Sequence, residues 1–222
     1  MKIRLDLKIF ILMILFYFTR QIQVYSLLMI FALLHELGHM IAGIALGFKP
    51  SSISIMPVGV SIDFNIDTYE YNKKIKKGNR LNLKKIIIAL AGPLTNIIIV
   101  VLNIILKNEY NEIIIYSNLL LAIFNSIPIY PLDGGRIMKN ILNIFVGKYK
   151  AIKYTNEISN IVICILSMIS SIFVLIYKNV FILLVLGYLW YLVLVQNKRS
   201  NMQMKLIESI NNVEKVNFME FC

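Results

Sequence analysis

Long apolar runs alternate with short basic stretches along this chain. Val24–Phe48, Ile86–Leu106, Ile113–Ile129, Ile158–Tyr177 and Val180–Val195 are apolar on almost every helical face. Helices surrounded by lipid show that pattern, whereas surface helices keep one polar side. A sixth run, Leu5–Phe18, is shorter and contains Lys8. It is read as spanning, with its lysine reaching back to the headgroups. A basic start followed by an apolar run also suits a signal peptide, but no small-residue cleavage site follows, so the segment is read as retained. One stretch breaks the helical rule. Ser52–Ile62 alternates with period two on both sides of Pro57–Gly59, which predicts a β-hairpin. The expected fold is therefore an all-α polytopic membrane protein, with about six transmembrane helices and a small membrane-associated β-hairpin. Residues 1–196 are expected to form the membrane core and 197–222 a short polar tail, below the size of an independent domain.

Composition agrees with this pattern. Hydrophobic residues make up 58% of the 222 and mean hydropathy is +0.72, whereas soluble domains are about 45–50% apolar. The net charge of +11 is more informative in its distribution than in its size. With six spans, all 23 Lys and Arg residues except Arg20, Lys107 and Lys178 fall on one side of the membrane. The positive-inside rule makes that side cytoplasmic, tail included. The basic residues occupy short loops, so no nucleic-acid partner is expected, and Lys73–Lys77 is read as facing lipid headgroups. Cys164 and Cys222 form no disulfide framework.

The chemistry lies inside the second run. His35-Glu36-Leu37-Gly38-His39 is an HExxH sequence. Residues four apart share one face of a helix. On such a helix the two histidines can hold zinc while the glutamate activates water. These are the only two histidines in the chain, and ionisable groups at membrane depth are costly and usually functional. At about 1.5 Å per residue, they lie roughly 16–22 Å along the helix that starts at Val24, past the midplane and toward the basic side.

A catalytic zinc usually takes three protein ligands. With no third histidine, the third must be a carboxylate or a thiolate. Asp133 is the better candidate. Pro128 and Pro131 interrupt the helix before it, and Gly134-Gly135 would let the backbone turn tightly. Broken helix at membrane depth is tolerated where it is packed in protein or lines a wet cavity. Cys164 competes, but it sits mid-run, where a free cysteine reads as a small core hydrophobe. Glu157 and the Asp63, Asp67 and Glu70 group are weaker. Gly43 and Gly47 are read as helix-packing positions, and Ala91-Gly92-Pro93 as a packing kink. A zinc-binding membrane carrier or sensor that does no hydrolysis is the alternative function.

Taken in order, three segments resemble the site-2 protease family of intramembrane zinc metalloproteases. They are His35–His39, Ala91-Gly92-Pro93-Leu94-Thr95-Asn96, and Asn125 through Gly135. The resemblance implies one zinc per active site, Glu36 as the catalytic base, and His35, His39 and Asp133 as the metal ligands. It also implies a substrate-binding role for Asn125, and a hairpin at Ser52–Ile62 that offers its edge to an extended substrate. The expected partners are the bilayer, a membrane-associated protein substrate and membrane-protein inhibitors or regulators. The compact arrangement is most similar to the subgroup acting in endospore formation. That likeness implies a sigma-factor precursor as substrate and the membrane around the developing spore as location. Members of that subgroup carry a nucleotide-sensing CBS domain where this chain has its short tail.

Overall fold

The HExxH run forms helix α1, Ile22–Ala45. No proline interrupts it, and its end is dictated by Gly47. Phe48 N–H donates to Gly43 O and Gly47 N–H to Ile44 O, both at 2.9 Å. This is the paired closure that satisfies the last carbonyls of a helix. It needs a left-handed residue, and Gly47 supplies it at φ +85°. Lys84 adds a cation at the same end, donating to Leu46 O at 2.8 Å. Gly47 is therefore a helix stop with open space around it, not a packing position.

In this computed structural model the described residues are 2–5, 17, 22–56, 59–65, 75–106, 111–177 and 181–220. After α1 come strands β2 (Lys49–Met56) and β3 (Gly59–Asn65), with β1 (Lys2–Leu5) preceding the helix. Five further helices follow: α2 (Ile75–Leu106), α3 (Asn111–Ser126), α4 (Asp133–Val146), α5 (Lys148–Tyr177) and α6 (Phe181–Glu220). Among the described residues, three helices are long and apolar enough to cross a membrane: Tyr25–Ala45, Gly78–Leu106 and Lys148–Ile176. Glu112–Ser126 is apolar but shorter. The expected first span lies almost wholly outside the described residues.

The chain divides into two compact units, Met1–Ser126 and Ile127–Cys222. In the first, α1 packs on α2 and α2 on α3. Gly38 makes the α1–α2 approach possible, because a β-carbon there would run into Thr95 Oγ1 and crowd Ala91 O. The hairpin forms as its alternation predicts, with Ile53 opposite Ile62 and Ile55 opposite Val60. A bulge interrupts the pairing between Pro50 and Ser52. Ser51 Oγ there donates to Asp63 O at 2.9 Å. Strand β2 is the centre of a three-stranded sheet, since β1 joins it in parallel with Ile3 opposite Ile53. That pairing is long-range, and four residues of β1 carry no periodicity to announce it. Gly43 faces the Phe64 ring, so it seats the sheet on α1 instead of bringing two helices together.

Two helices begin earlier than their apolar runs. α2 starts at Ile75, so Lys76 and Lys77 belong to its first turn and not to a loop. α5 starts at Lys148. Its early part buries a stripe of Ala151, Ile152, Thr155, Ser159 and Ile163, spaced as one helical face. Thr155 and Ser159 return their hydroxyls to Ala151 O and Thr155 O at 2.6 and 2.7 Å, which makes polar side chains tolerable in that stripe.

The Val180–Val195 run is the first part of α6, which continues unbroken into the polar tail. Three rungs tie α6 antiparallel to α5. Trp190 Nε1 donates to Ser167 Oγ at 3.0 Å, Asn197 Nδ2 to Asn160 Oδ1 at 2.8 Å, and Tyr149 OH to Glu208 Oε1 at 2.6 Å. Each step forward along α6 is matched by an equal step back along α5.

Gly38→Ala should destabilise the protein by about 1–3 kcal/mol, the usual cost of overpacking. Adding Thr95→Ala should restore part of that loss, because the threonine hydroxyl is the nearest obstacle. Melting temperatures of the four variants of this cycle in detergent check it.

Candidate metal centre

Zinc needs imidazole nitrogens that converge with their lone pairs free. On α1, His35 and His39 are 4% and 3% exposed, stacked by their four-residue spacing. Their rings meet edge to face, with centroids 4.8 Å apart and planes at 85°. This brings the two Nε2 atoms to 3.1 Å. Two nitrogens bound tetrahedrally at 2.0–2.1 Å from one zinc would lie about 3.3 Å apart. The pair therefore fits the metal.

Helix α2 supplies the surroundings. His39 Nδ1 lies 2.6 Å from Ile88 O. A carbonyl can only accept, so Nδ1 carries the proton and Nε2 keeps its lone pair for a metal. Asn96 is fully buried, and its amide lies 3.2 Å from His35 Nδ1. Gly92 sits directly beside both rings, and a β-carbon there would overlap His39 Cε1 and the Nε2 atoms of both histidines. Ile88, Gly92 and Asn96 repeat every four residues, so one face of α2 lines the histidine pair. Pro93 is inside this helix and withholds a backbone donor one residue beyond the lining glycine.

Glu36 follows His35 on α1 and is half-buried. Asn125 is in the last turn of α3, where its Nδ2 donates to Leu121 O at 3.1 Å.

In the second unit, α3 having ended at Ser126, residues 127–132 form an irregular segment and α4 opens at Asp133. The Tyr130–Pro131 bond is cis. Tyr130 N–H donates to Ser159 Oγ at 3.1 Å, and the Lys139 ammonium stands 4.4 Å over the Tyr130 ring. Burial, with the Lys148 charge adding to it, pushes the Lys139 ammonium below its ordinary pKa. Gly134 and Gly135 are helical, so they do not serve to turn the chain. A β-carbon on Gly135 would collide with the backbone of Ile129 and Tyr130, so glycine there lets the segment fold down on its own helix. Asp133 is 5% exposed and sits in the first turn of α4, where helix amides favour negative charge. Arg136 reaches it at 3.7 Å.

Among the described residues, His35, His39 and Asp133 are the buried side chains of metal-binding type. Cys164, expected to be a core residue, is exposed on α5 instead. Glu157 and Asp63 are exposed too, while Asp67 and Glu70 lie outside the described residues. In the sequence, Gly92 reads as part of a packing kink and Asn96 only as part of the segment resembling the site-2 proteases, and neither is placed at the histidines. The four-residue spacing of Gly92 and Asn96 was the available signal.

Comparison with known proteins agrees with this chemistry. The model of peptidase family M50 matches residues 23–110 and 108–169, more than half of the chain. A zinc metalloprotease of Methanocaldococcus jannaschii is 32% identical over 170 residues, covering 72% of this chain and 45% of that protein. Stage IV sporulation protein FB of Bacillus subtilis is 25% identical over 118 residues, 50% of this chain and 37% of the relative. The chain thus spans less than half the length of these two curated relatives. The solved site-2 protease from Methanocaldococcus jannaschii superposes with a TM-score of 0.63 at 25% identity, covering 87% of this chain and 89% of that one.

The chain is a membrane protein of the site-2 metalloprotease class. It belongs to peptidase family M50, whose cofactor is zinc.

Gly92→Ala should weaken zinc binding by about 10–100-fold, the usual range when groups around metal ligands are disturbed. Zinc competition titration of the purified protein measures it, and an affinity equal to wild type would show that the rings have room to move.

Proposed function

We propose that this protein is an intramembrane zinc endopeptidase that cleaves a peptide bond of a membrane-associated protein. The observation that carries the reading is the convergence of two histidine Nε2 atoms, 3.1 Å apart, on a helix long enough to span. Glu36 stands next to them, so the same turn offers metal ligands and a proton acceptor.

The third ligand is assigned to Asp133. Its burial supports this, as does its place at a helix start where backbone amides favour negative charge. The exposure of Cys164 argues against a thiolate. When bound, zinc would lower the pKa of a water toward about 7 and offset negative charge on the substrate carbonyl. Glu36 receives the water proton on its carboxylate and passes it to the departing amine nitrogen. Asn125 holds the substrate backbone and helps to stabilise the oxyanion. The substrate must be locally unwound, because a helical hydrogen bond occupies the scissile carbonyl.

Residues 1–196 act as the protease core, with 197–222 as a cytoplasmic extension. The basic loops also face the cytoplasm, because of the charge asymmetry. Likeness to the sporulation protein supports a narrower reading: a sigma-factor precursor as substrate, at the membrane around the developing spore, under membrane-protein inhibitors.

Glu36→Gln tests the hydrolytic reading. It should abolish cleavage while zinc remains bound. Peptide termini in membrane and released fractions, compared between wild-type and variant cells, would reveal the substrate at the same time. Identical termini in both would favour the carrier or sensor. For the ligand set, Asp133→Ala should lose zinc and Cys164→Ala should keep it, as read by metal analysis of the purified proteins. The reverse pattern would replace Asp133 with the cysteine.

A further inference from the structure

Asn96 is fully buried, and only one end of its amide has a partner. The nitrogen end lies 3.2 Å from His35 Nδ1, and Oδ1 has no hydrogen-bond partner among the described residues. An unsatisfied buried polar atom costs about 1–3 kcal/mol, so a leucine of similar size would be the cheaper filling for this position if packing were its only purpose.

The neighbouring histidine supplies a purpose. A neutral imidazole carries one proton, and the nitrogen without it is the one that can bind a metal. For His35 Nε2 to serve zinc, Nδ1 must hold the proton and donate it. The Asn96 amide lies against Nδ1, and its oxygen accepts whereas its nitrogen only donates. The two ends of the amide are nearly equal in shape, so a half-turn about its Cβ–Cγ bond exchanges them within the same space. Oδ1 has no partner among the described residues in the orientation shown, so no hydrogen bond there resists the exchange, and the His35 proton decides it.

We propose that Asn96 is a positioning residue for the metal centre: it accepts the Nδ1 proton of His35 through Oδ1 and so fixes the tautomer that presents Nε2 to zinc. Ile88 O does the same for His39, so both ligands are oriented from one face of α2. The inference rests on His35 and His39 being the zinc ligands.

The test is zinc affinity of the full chain in detergent micelles, titrated with zinc against a competing chelator at neutral pH. Melting temperatures of the chelator-treated proteins are read alongside. Asn96→Leu keeps the volume and removes the acceptor. It should bind zinc roughly 10–100-fold more weakly than wild type, with a melting temperature after chelator treatment no lower than that of wild type. Asn96→Asp keeps an acceptor and, as the carboxylate, does not donate, so it should stay within roughly threefold of wild type. Wild-type affinity in Asn96→Leu would overturn the proposal, as would an Asn96→Asp variant as weak as the leucine one. If Asn96→Leu fails to fold, Asn96→Asp decides alone: tight binding supports the proposal and lost binding overturns it. His35→Ala separates the two levels. Retained zinc there would overturn the ligand assignment and this inference together. Zinc lost in His35→Ala but kept in Asn96→Leu would overturn the inference alone.

Discussion

The close packing of α1 on α2 is the constraint on which the first unit depends. Two imidazoles must sit in an apolar interior with their Nε2 atoms converging, and neither helix can arrange this alone. α1 provides the spacing. α2 provides a carbonyl at Ile88, an amide at Asn96 and empty space at Gly92. The helices can approach closely enough only because Gly38 is bare where it meets Thr95. A methyl group at Gly38 would hold the helices apart, and one at Gly92 would displace the rings. Small residues at a membrane helix interface ordinarily serve packing; here the same smallness shapes the geometry of the imidazole pair.

The second unit solves a related problem with different means. Its carboxylate follows an irregular segment, which is costly at membrane depth unless its backbone groups are satisfied. Ser159 accepts from Tyr130, Lys139 covers the Tyr130 ring, and Gly135 lets Ile129 and Tyr130 lie against α4. Ile129 is fully buried as a result. Asp133 thus begins a helix whose first turn is anchored from several directions, which holds the carboxylate in place.

Apolar runs and the HExxH spacing were legible in the sequence because both are local. Periodicity over a few residues reports which face is buried, and the hairpin was equally plain at Ser52–Ile62, inside the strands Lys49–Met56 and Gly59–Asn65. The extents of α2 and α5 were less legible, since their polar first turns are helical without being apolar. Strand β1 was missed because parallel pairing across many residues leaves no local trace. The same reasoning explains the site. His35, Glu36 and His39 announce themselves by spacing, whereas Asn96 and Gly92 matter only through what α1 brings against them. Gly47 was given a packing role when its positive φ ends a helix, because a glycine in a list of residues does not reveal its backbone angle.

The proposed zinc site, with two imidazoles and a carboxylate as ligands, is the centre of this account. X-ray absorption at the zinc edge of the purified, zinc-loaded protein tests it directly. The account predicts two imidazole nitrogens at about 2.0–2.1 Å, oxygen in the remaining positions and no sulfur. A sulfur neighbour at about 2.3 Å, or a first shell lacking imidazole, would contradict it.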